Sequence, residues 1–315
     1  MQIAESNIEL NNVNSFEFIK TIPDNSVKLI VSDPPYGISF SGQTSNTNWD
    51  DIEDFETYIY NFLIEVKRIL TEDGTLWMFC ARTKIPEVFS AISKAGLYNN
   101  LENWMSYIRA KGRGADSKLK SQCEEILHIT KTDKYQFDMI EYEREVVIPY
   151  VKDGLPRGWM LNIENGQRVR WSGLGNACCF TSPFQISKFE PQIHSTQKPV
   201  LLNAMLIMLS SKEGDTVYDF FSGSGSCGIA SVITKRNFVG CELDKDMYEK
   251  SLNWFNNLDL DRAKEFINKR IKYKKDPIDD SKYITDLNEI RKYESKKSPI
   301  LKGGFFKDLG NKNGS

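Results

Sequence analysis

Asp219-Phe220-Phe221-Ser222-Gly223-Ser224-Gly225-Ser226-Cys227-Gly228 stands between a short apolar run, Thr216 to Phe220, and a helical pattern, Gly225 to Thr234. Strand, glycine turn and helix in immediate succession are the parts of an α/β unit. Glycines let the backbone approach a ligand closely, and a helix N-terminus offers N–H groups without an intrahelical partner. The next apolar run, Phe238 to Cys241, ends at Glu242. An acid at that strand end is placed to accept both hydroxyls of a ribose. Together these residues describe a pocket for an adenosine-containing cofactor. The glycines also satisfy Gly-x-Gly-x-x-Gly, so on spacing alone a dinucleotide site, and with it an oxidoreductase, stays open.

On either side of this unit the alternation continues. Helical spacing predicts helices over Pro199 to Ser211 and Lys245 to Asn257. Near the start, strands are predicted over Asn7 to Leu10, Lys28 to Ser32 and Thr75 to Cys80, with helices over Ser15 to Thr21, Asp54 to Leu70 and Ile85 to Ala95. Trp104 to Arg109 and Glu124 to Thr130 read as an antiparallel edge pair joined by a basic, glycine-rich connection. Alternating elements of this kind predict an α/β fold built on a doubly wound, mostly parallel sheet. Residues 133–193 break the pattern, with many turn residues and charge alternating with aromatic and glycine positions, and read as a small inserted region. Four segments follow: 1–132, 133–193, 194–258, and a lysine-rich extension, 259–315, with a surface helix or two and a flexible tail.

Composition narrows the class. At 315 residues, 40% hydrophobic and 12% aromatic, the chain can bury a large core. No apolar stretch is long enough to span a membrane, and the first residues lack the basic-then-apolar pattern of a secretory signal, so a cytoplasmic location is expected. Six cysteines in this length are no disulfide framework. Cys80, Cys227 and Cys241 sit among apolar or small residues and read as buried thiols. Adjacent Cys178-Cys179 lack the usual spacer of a metal site and the chain has only two histidines, so no metal is expected. His128 reads as a core histidine. The net charge of −2 gives no global sign of nucleic-acid binding, which would then rest on a local basic face.

Two further motifs carry chemistry. Asp33-Pro34-Pro35-Tyr36 follows the strand Lys28 to Ser32 and leads into Gly37. The Asp33 carboxylate and the Pro34 carbonyl can both accept from one exocyclic NH₂, while Tyr36 can lie against the face of a planar ring. Taken alone, the prolines could also mark only a rigid turn. His194-Ser195-Thr196-Gln197-Lys198-Pro199 opens a helix and sets hydroxyl and ammonium donors where a cofactor carboxylate could be held. S-adenosylmethionine has such a carboxylate and nicotinamide dinucleotides do not.

Asp-Pro-Pro-Tyr-Gly, then Gln-Lys-Pro, then Asp-Phe-Phe-Ser-Gly-Ser-Gly, in this order, resembles the β-class DNA amino-methyltransferases across about Asn7 to Asn257. The resemblance implies a circularly permuted, Rossmann-like S-adenosylmethionine-dependent fold, with the catalytic half first, a target-recognition region in 133–193 and the cofactor half after it. It places Asp33, Pro34, Pro35 and Tyr36 on a flipped base. Asp219, Phe220, Phe221, Gly223, Gly225 and Ser226, with Asp33, would form the cofactor loop, and Glu242 would take the ribose. His194, Ser195, Thr196 and Lys198 would face the methionine end. Phe220 stands where that family usually has proline, and Asn14 where it often has aspartate near the cofactor adenine.

The implied reaction is methylation of adenine N6 in duplex DNA after base flipping, because aspartate at the first clamp position usually accompanies adenine in that family. Cytosine N4, an RNA target and a catalytically idle DNA-binding module are the alternatives. A restriction-modification setting with a cognate endonuclease, and a homodimer, are further implications. Arg109, Lys111, Arg113, Lys118, Lys120, Arg157, Arg168 and Arg170 are the candidates for phosphate contacts. Phe40 to Trp49 reads as a mobile loop beside the pocket, with Trp49-Asp50 able to close over it.

Overall fold

The computed structural model describes residues 1–38, 50–113, 121–138, 140–142, 150–152, 155–157, 159–162, 168–170, 179–184, 187, 189–273 and 283–284. The chain divides into two compact units, 1–140 with 177–273, and 141–176 with 274–315. In the second, Trp159–Asn162 pairs antiparallel with Arg168–Arg170 and with Tyr283–Ile284. Of the expected 133–193 segment, 141–176 falls in the second unit, and residues 259–273 of the expected C-terminal extension fall in the first.

The first unit is built on a nine-stranded sheet. In chain order its strands are β1 (Gln2–Ile3), β2 (Ser6–Asn11), β3 (Val27–Ser32), β4 (Leu70–Cys80), β5 (Leu101–Arg113), β6 (Ser121–Thr130), β7 (Cys179–Phe184), β8 (Thr216–Asp219) and β9 (Asn237–Cys241). They lie in the order β1-β2-β9-β8-β3-β4-β6-β5-β7. The five central strands from β2 to β4 are mutually parallel, and β6 turns antiparallel against both β4 and β5. The β5–β6 pair is not the edge that its sequence suggests. β7 continues the sheet beyond β5, parallel to it. Pro183 inside β7 disguises it as a loop, and an outermost strand is where a sheet tolerates proline.

The helices form where apolar spacing and caps coincide. Asp54 accepts from Thr57 N at 3.0 Å and starts α2 (Phe55–Ile69), after α1 (Ser15–Thr21). Phe55, Ile59, Phe62, Leu63, Val66 and Ile69 form the buried face of α2, as its 3.6-residue spacing requires. α3 (Ile85–Lys94) packs beside it. α4 (Val200–Ser210) is apolar all round and buried along its whole length, and it packs on α5 (Ser226–Ile233). α6 (Lys245–Asn256) and α7 (Leu260–Asn268) complete the unit, with α7 burying Ala263 and Ile267.

β3 and β8 position the site. They are parallel neighbours, with Val217 opposite Leu29 and Tyr218 opposite Ile30. From β3 the chain crosses through α2 to β4 on one side; from β8 it crosses through α5 to β9 on the other. Right-handed crossovers in opposite directions put α2 and α5 on opposite faces of the sheet and leave a crevice between them at the strands' carboxyl ends. Asp33 and Asp219 stand at those two ends.

Candidate active site

The two segments 187 residues apart in sequence meet in this crevice: Ser32 Oγ donates to Asp219 Oδ1 at 3.1 Å. A cavity there is lined by Ser32 and Asp33 from the end of β3, Phe79 from β4, and His194, Thr196, Gln197 and Lys198 from the segment before α4. Asp219, Phe221, Ser222, Gly223, Ser224, Ser226 and Cys227 close the other side, with Asn203 of α4 below. The turn after β8 is held by main-chain bonds, Ser222 N to Cys241 O at 2.9 Å and Gly225 N to Ser222 O at 2.8 Å. Gly223 and Gly225 have φ of +50° and +82°, which a side chain would strain. Glu242 steadies the turn by accepting from Gly223 N and Asp244 N, both at 2.8 Å.

Asp33 is tied at both oxygens. Tyr36 Oη donates to its Oδ1 at 2.6 Å, and the Lys198 ammonium pairs with its Oδ2. Lys198 is 4% exposed and also lies 3.1 Å from Glu124 Oε2. Tyr107 Oη donates to that same Glu124 oxygen at 2.6 Å, and Arg109 pairs with the other at 3.0 Å. The ammonium sits over the rings of Tyr36 and Phe79, at 5.4 and 5.2 Å from their centroids. Burial pushes the Asp33 carboxyl above its usual range, although Lys198 opposes this. Burial acts on Glu124 too, but there Lys198, Tyr107 and Arg109 outweigh it and hold the carboxyl below its usual range. Lys198 is desolvated as well, yet its two carboxylates keep it more firmly protonated than usual.

Asp219 differs. It accepts from Ser32 Oγ and from Phe221 N, both at 3.1 Å, and no lysine or arginine pairs with it among the described residues. Burial, with Asp33 and Glu242 nearby, pushes its pKa up to about 7. A cavity lined by two acids, one of them without a lysine or arginine partner among the described residues, suits a positively charged ligand. S-adenosylmethionine fits this donor set, since it has a sulfonium and an ammonium. Its carboxylate has a candidate donor in Gln197 Nε2, a buried amide at the cavity wall beside Glu190. Asp219 would take the ammonium, Gln197 the carboxylate and Glu242 the ribose.

Several sequence expectations are redirected. Lys198 does line the cavity, but its ammonium is engaged by Asp33 and Glu124 instead of standing free for a cofactor carboxylate. Arg109, expected on phosphate, is largely covered and paired with Glu124. Asn14 does not line the cavity; it caps α1, its Oδ1 accepting from Phe16 N at 2.8 Å and Glu17 N at 3.4 Å. Phe220 points into the core against Phe18 and Phe62. Thr196 Oγ1 lies 2.6 Å from His194 Nδ1, and the pair folds that segment into a tight turn in which the Ser195 hydroxyl is turned inward. Lys111 and Arg113 end β5, Arg157 ends a three-residue strand, and Arg168 and Arg170 flank another. Trp49, the loop before it, Lys118, Lys120 and Cys178 lie outside the described residues.

Sequence reasoning missed Glu124, Tyr107 and the role of Asp50. Asp50, 1% exposed, accepts from three successive amides, Tyr36, Gly37 and Ile38, at 2.5, 2.7 and 3.1 Å, and so pins the turn that follows Pro35. Glu124 had one signal, a charge at the start of an otherwise apolar strand run. His128 is the buried core histidine expected, stacked on Trp77 with centroids 4.0 Å apart, and burial pushes its pKa down to about 3.

Residues 27–253 match the family model described as DNA methylase, the N6/N4 methyltransferases, and the chain belongs to that family. The match takes in Asp33, the 194–198 segment, the 219–225 turn and Glu242. The type II methyltransferase M1.MboII of Moraxella bovis is 26% identical over 269 residues, covering 80% of this chain and 98% of that protein. M.HpaI of Haemophilus parainfluenzae is 27% identical over 241 residues, covering 75% and 70%. Two solved structures share the fold. The PvuII DNA methyltransferase, described as cytosine-N4-specific, has a TM-score of 0.58 at 15% identity, covering 84% of this chain and 92% of that one. The M1.HpyAVI–SAM complex has a TM-score of 0.53 at 17% identity, covering 79% and 99%. The sheet is therefore the Rossmann-like sheet of the S-adenosylmethionine-dependent methyltransferases, and S-adenosylmethionine is the family's methyl donor. No helix among the described residues is long and apolar enough to cross a membrane.

Proposed function

We propose that this chain methylates the exocyclic N6 of adenine in duplex DNA, using S-adenosylmethionine, on a base rotated out of the helix. The observation that carries the reading is the meeting of Asp33 with the Asp219–Gly225 turn in one crevice. When bound there, S-adenosylmethionine supplies an already electrophilic methyl group. The protein's task is to present a nitrogen whose lone pair is otherwise delocalised into the ring. Asp33 and the Pro34 carbonyl accept from the two N–H bonds, favour tetrahedral geometry and stabilise the positive charge that develops on nitrogen. Holding both reactants in one cavity supplies the other large contribution. Tyr36, fixed by its bond to Asp33, borders the place for the base and compensates part of the lost stacking.

A covalent enzyme intermediate is not needed. Of the cysteines near the crevice, Cys80, Cys227 and Cys241 are buried and their thiols are pushed well above the usual range by that burial, so none of these three offers a thiolate for such a step. Genomic DNA as substrate puts the enzyme in the cytoplasm, and the type II descriptions of the relatives support a partner endonuclease reading the same site.

Methylation-aware sequencing of DNA from cells expressing the chain tests the proposal. N6-methyladenine at one recurrent motif, absent with Asp33→Ala, is the expected result. N4-methylcytosine would shift the reading to the other base, and no modified base would refute it. Resistance of the methylated motif to cleavage by extracts of the source cells checks the endonuclease.

A further inference from the structure

The charges behind Asp33 alternate in sign away from the cavity: Asp33, Lys198, Glu124, Arg109. Lys198 and Glu124 are buried, Asp33 and Arg109 half-buried, and Glu124 joins the row from β6, a strand that contributes no residue to the cavity lining. Were Lys198 to face Asp33 alone, the pair would be neutral and a poor acceptor for a nitrogen becoming positive. A second carboxylate on the far side of the same ammonium leaves Asp33 with part of its charge uncompensated, aimed at the cavity. Tyr107 Oη and Arg109 hold Glu124 in that place.

We propose that Glu124 is a positioning residue of the methyl-transfer reaction: by sharing the Lys198 ammonium with Asp33, it fixes the orientation and the net charge of the carboxylate that receives the substrate amino group. The proposal rests on the amino-methyltransferase reading for its catalytic consequence, but not for its electrostatic one. The groups that face Asp33 are Tyr36 on its own turn, Lys198 before α4, Glu124 on β6, Tyr107 on β5, Cys80 on β4 and Asp219 on β8. Among them Glu124 raises the Asp33 pKa. Its removal must therefore make Asp33 easier to ionise while turning the potential at the amino group more positive. A merely structural role predicts neither.

The test is a carbon-13 NMR titration of the Asp33 carboxyl in the full chain, assigned through Asp33→Asn, together with kcat at saturating DNA and S-adenosylmethionine across pH. In Glu124→Gln the Asp33 titration and the acid limb of kcat should both move to lower pH. Plateau kcat should drop on the order of ten- to a hundredfold, with S-adenosylmethionine affinity unchanged. Glu124→Asp, which keeps the charge, should recover part of the loss. Arg109→Gln, at a partly exposed position, should move the Asp33 titration the opposite way, to higher pH. An unmoved Asp33 titration in Glu124→Gln, or the same direction in both variants, overturns the proposal. If Glu124→Gln fails to fold, the direction in Arg109→Gln alone decides. A wild-type chain that transfers no methyl group to DNA while the titrations shift as stated refutes the functional reading and leaves the charge network standing.

Discussion

Asp219→Asn separates what the crevice does for folding from what it does for its ligand. The Asp219 carboxyl has a pKa of about 7 in the folded chain, against an ordinary 3.8. The shift is upward, so the stabilisation tied to this group is complete below about pH 4 and is lost as pH rises through 7. Three pH units at roughly 1.4 kcal/mol each amount to about 4 kcal/mol of stability forgone at pH 8 by keeping this charge buried without a cation. Asparagine has the same shape, and its Oδ1 can still accept from Ser32 Oγ and Phe221 N. The variant should therefore exceed the wild type by roughly 1–2 kcal/mol at pH 5 and by about 4 kcal/mol at pH 8 in urea unfolding without cofactor, at equal m-value. Titrations of groups away from the crevice are common to the two proteins and cancel in the comparison. Asp33 and Glu242, coupled to Asp219, ionise more easily in the variant and add to the difference in the same direction. S-adenosylmethionine affinity by calorimetry at pH 8 should fall roughly tenfold or more, since a charge-assisted bond to its ammonium is lost. A stability difference that does not grow with pH, or undiminished cofactor affinity in the variant, would refute the assignment of Asp219 as the unpaired acid of the site.

Gly225→Ala places a Cβ 2.5 Å from Ser251 Oγ and 3.2 Å from Phe255 Cε2, at a φ of +82°; thermal unfolding should show a loss of about 1–3 kcal/mol, with cofactor affinity reduced. Gly223→Ala, whose Cβ meets only Phe221 O at 3.9 Å, should lose about 1 kcal/mol from its backbone alone. Lys198→Met leaves half-buried Asp33 without a cation beside buried Glu124, which keeps Arg109 as its cation, and urea unfolding at pH 8 should record a loss of about 3 kcal/mol. That deficit should shrink as pH falls, because carboxyls held above their usual pKa regain protons before the unfolded chain does, and a pH-independent deficit would contradict the ion-pair account.

The parallel centre of the sheet was legible because strands covered on both faces read as unbroken apolar runs, as in Leu29 to Val31 and Leu76 to Cys80. α2 was legible because its caps and its spacing agree. β7 was not, since a six-residue strand holding Pro183 is defined by its partner β5 and not by its own residues. The cofactor turn could be read locally, as its glycines, acid and helix start are contiguous. The partners of Asp33 could not. Lys198 comes from 165 residues away, and a lysine before a helix gives no sign of whether it will meet a ligand's carboxylate or the protein's own. Arg109 misled for the same reason, because a basic residue in a basic stretch looks solvated until a buried glutamate is found opposite it.

The permutation also explains why so much of the site survives an unusual chain order. A crevice at a switch point needs two adjacent parallel strands and crossovers that leave in opposite directions, and neither condition refers to which strand comes first. β3 and β8 meet both conditions although one lies near residue 30 and the other near 217. The two acids at their ends are then forced into proximity by the sheet, which raises the cost of ionising both. The protein resolves the conflict asymmetrically. Asp33 receives an internal cation, shared with Glu124, which opposes the upward push of burial; Asp219 receives none among the described residues. One buried lysine thus divides the crevice into a side with an internal cation and a side without one, the division that the proposed reaction would use for methyl acceptor and charged donor.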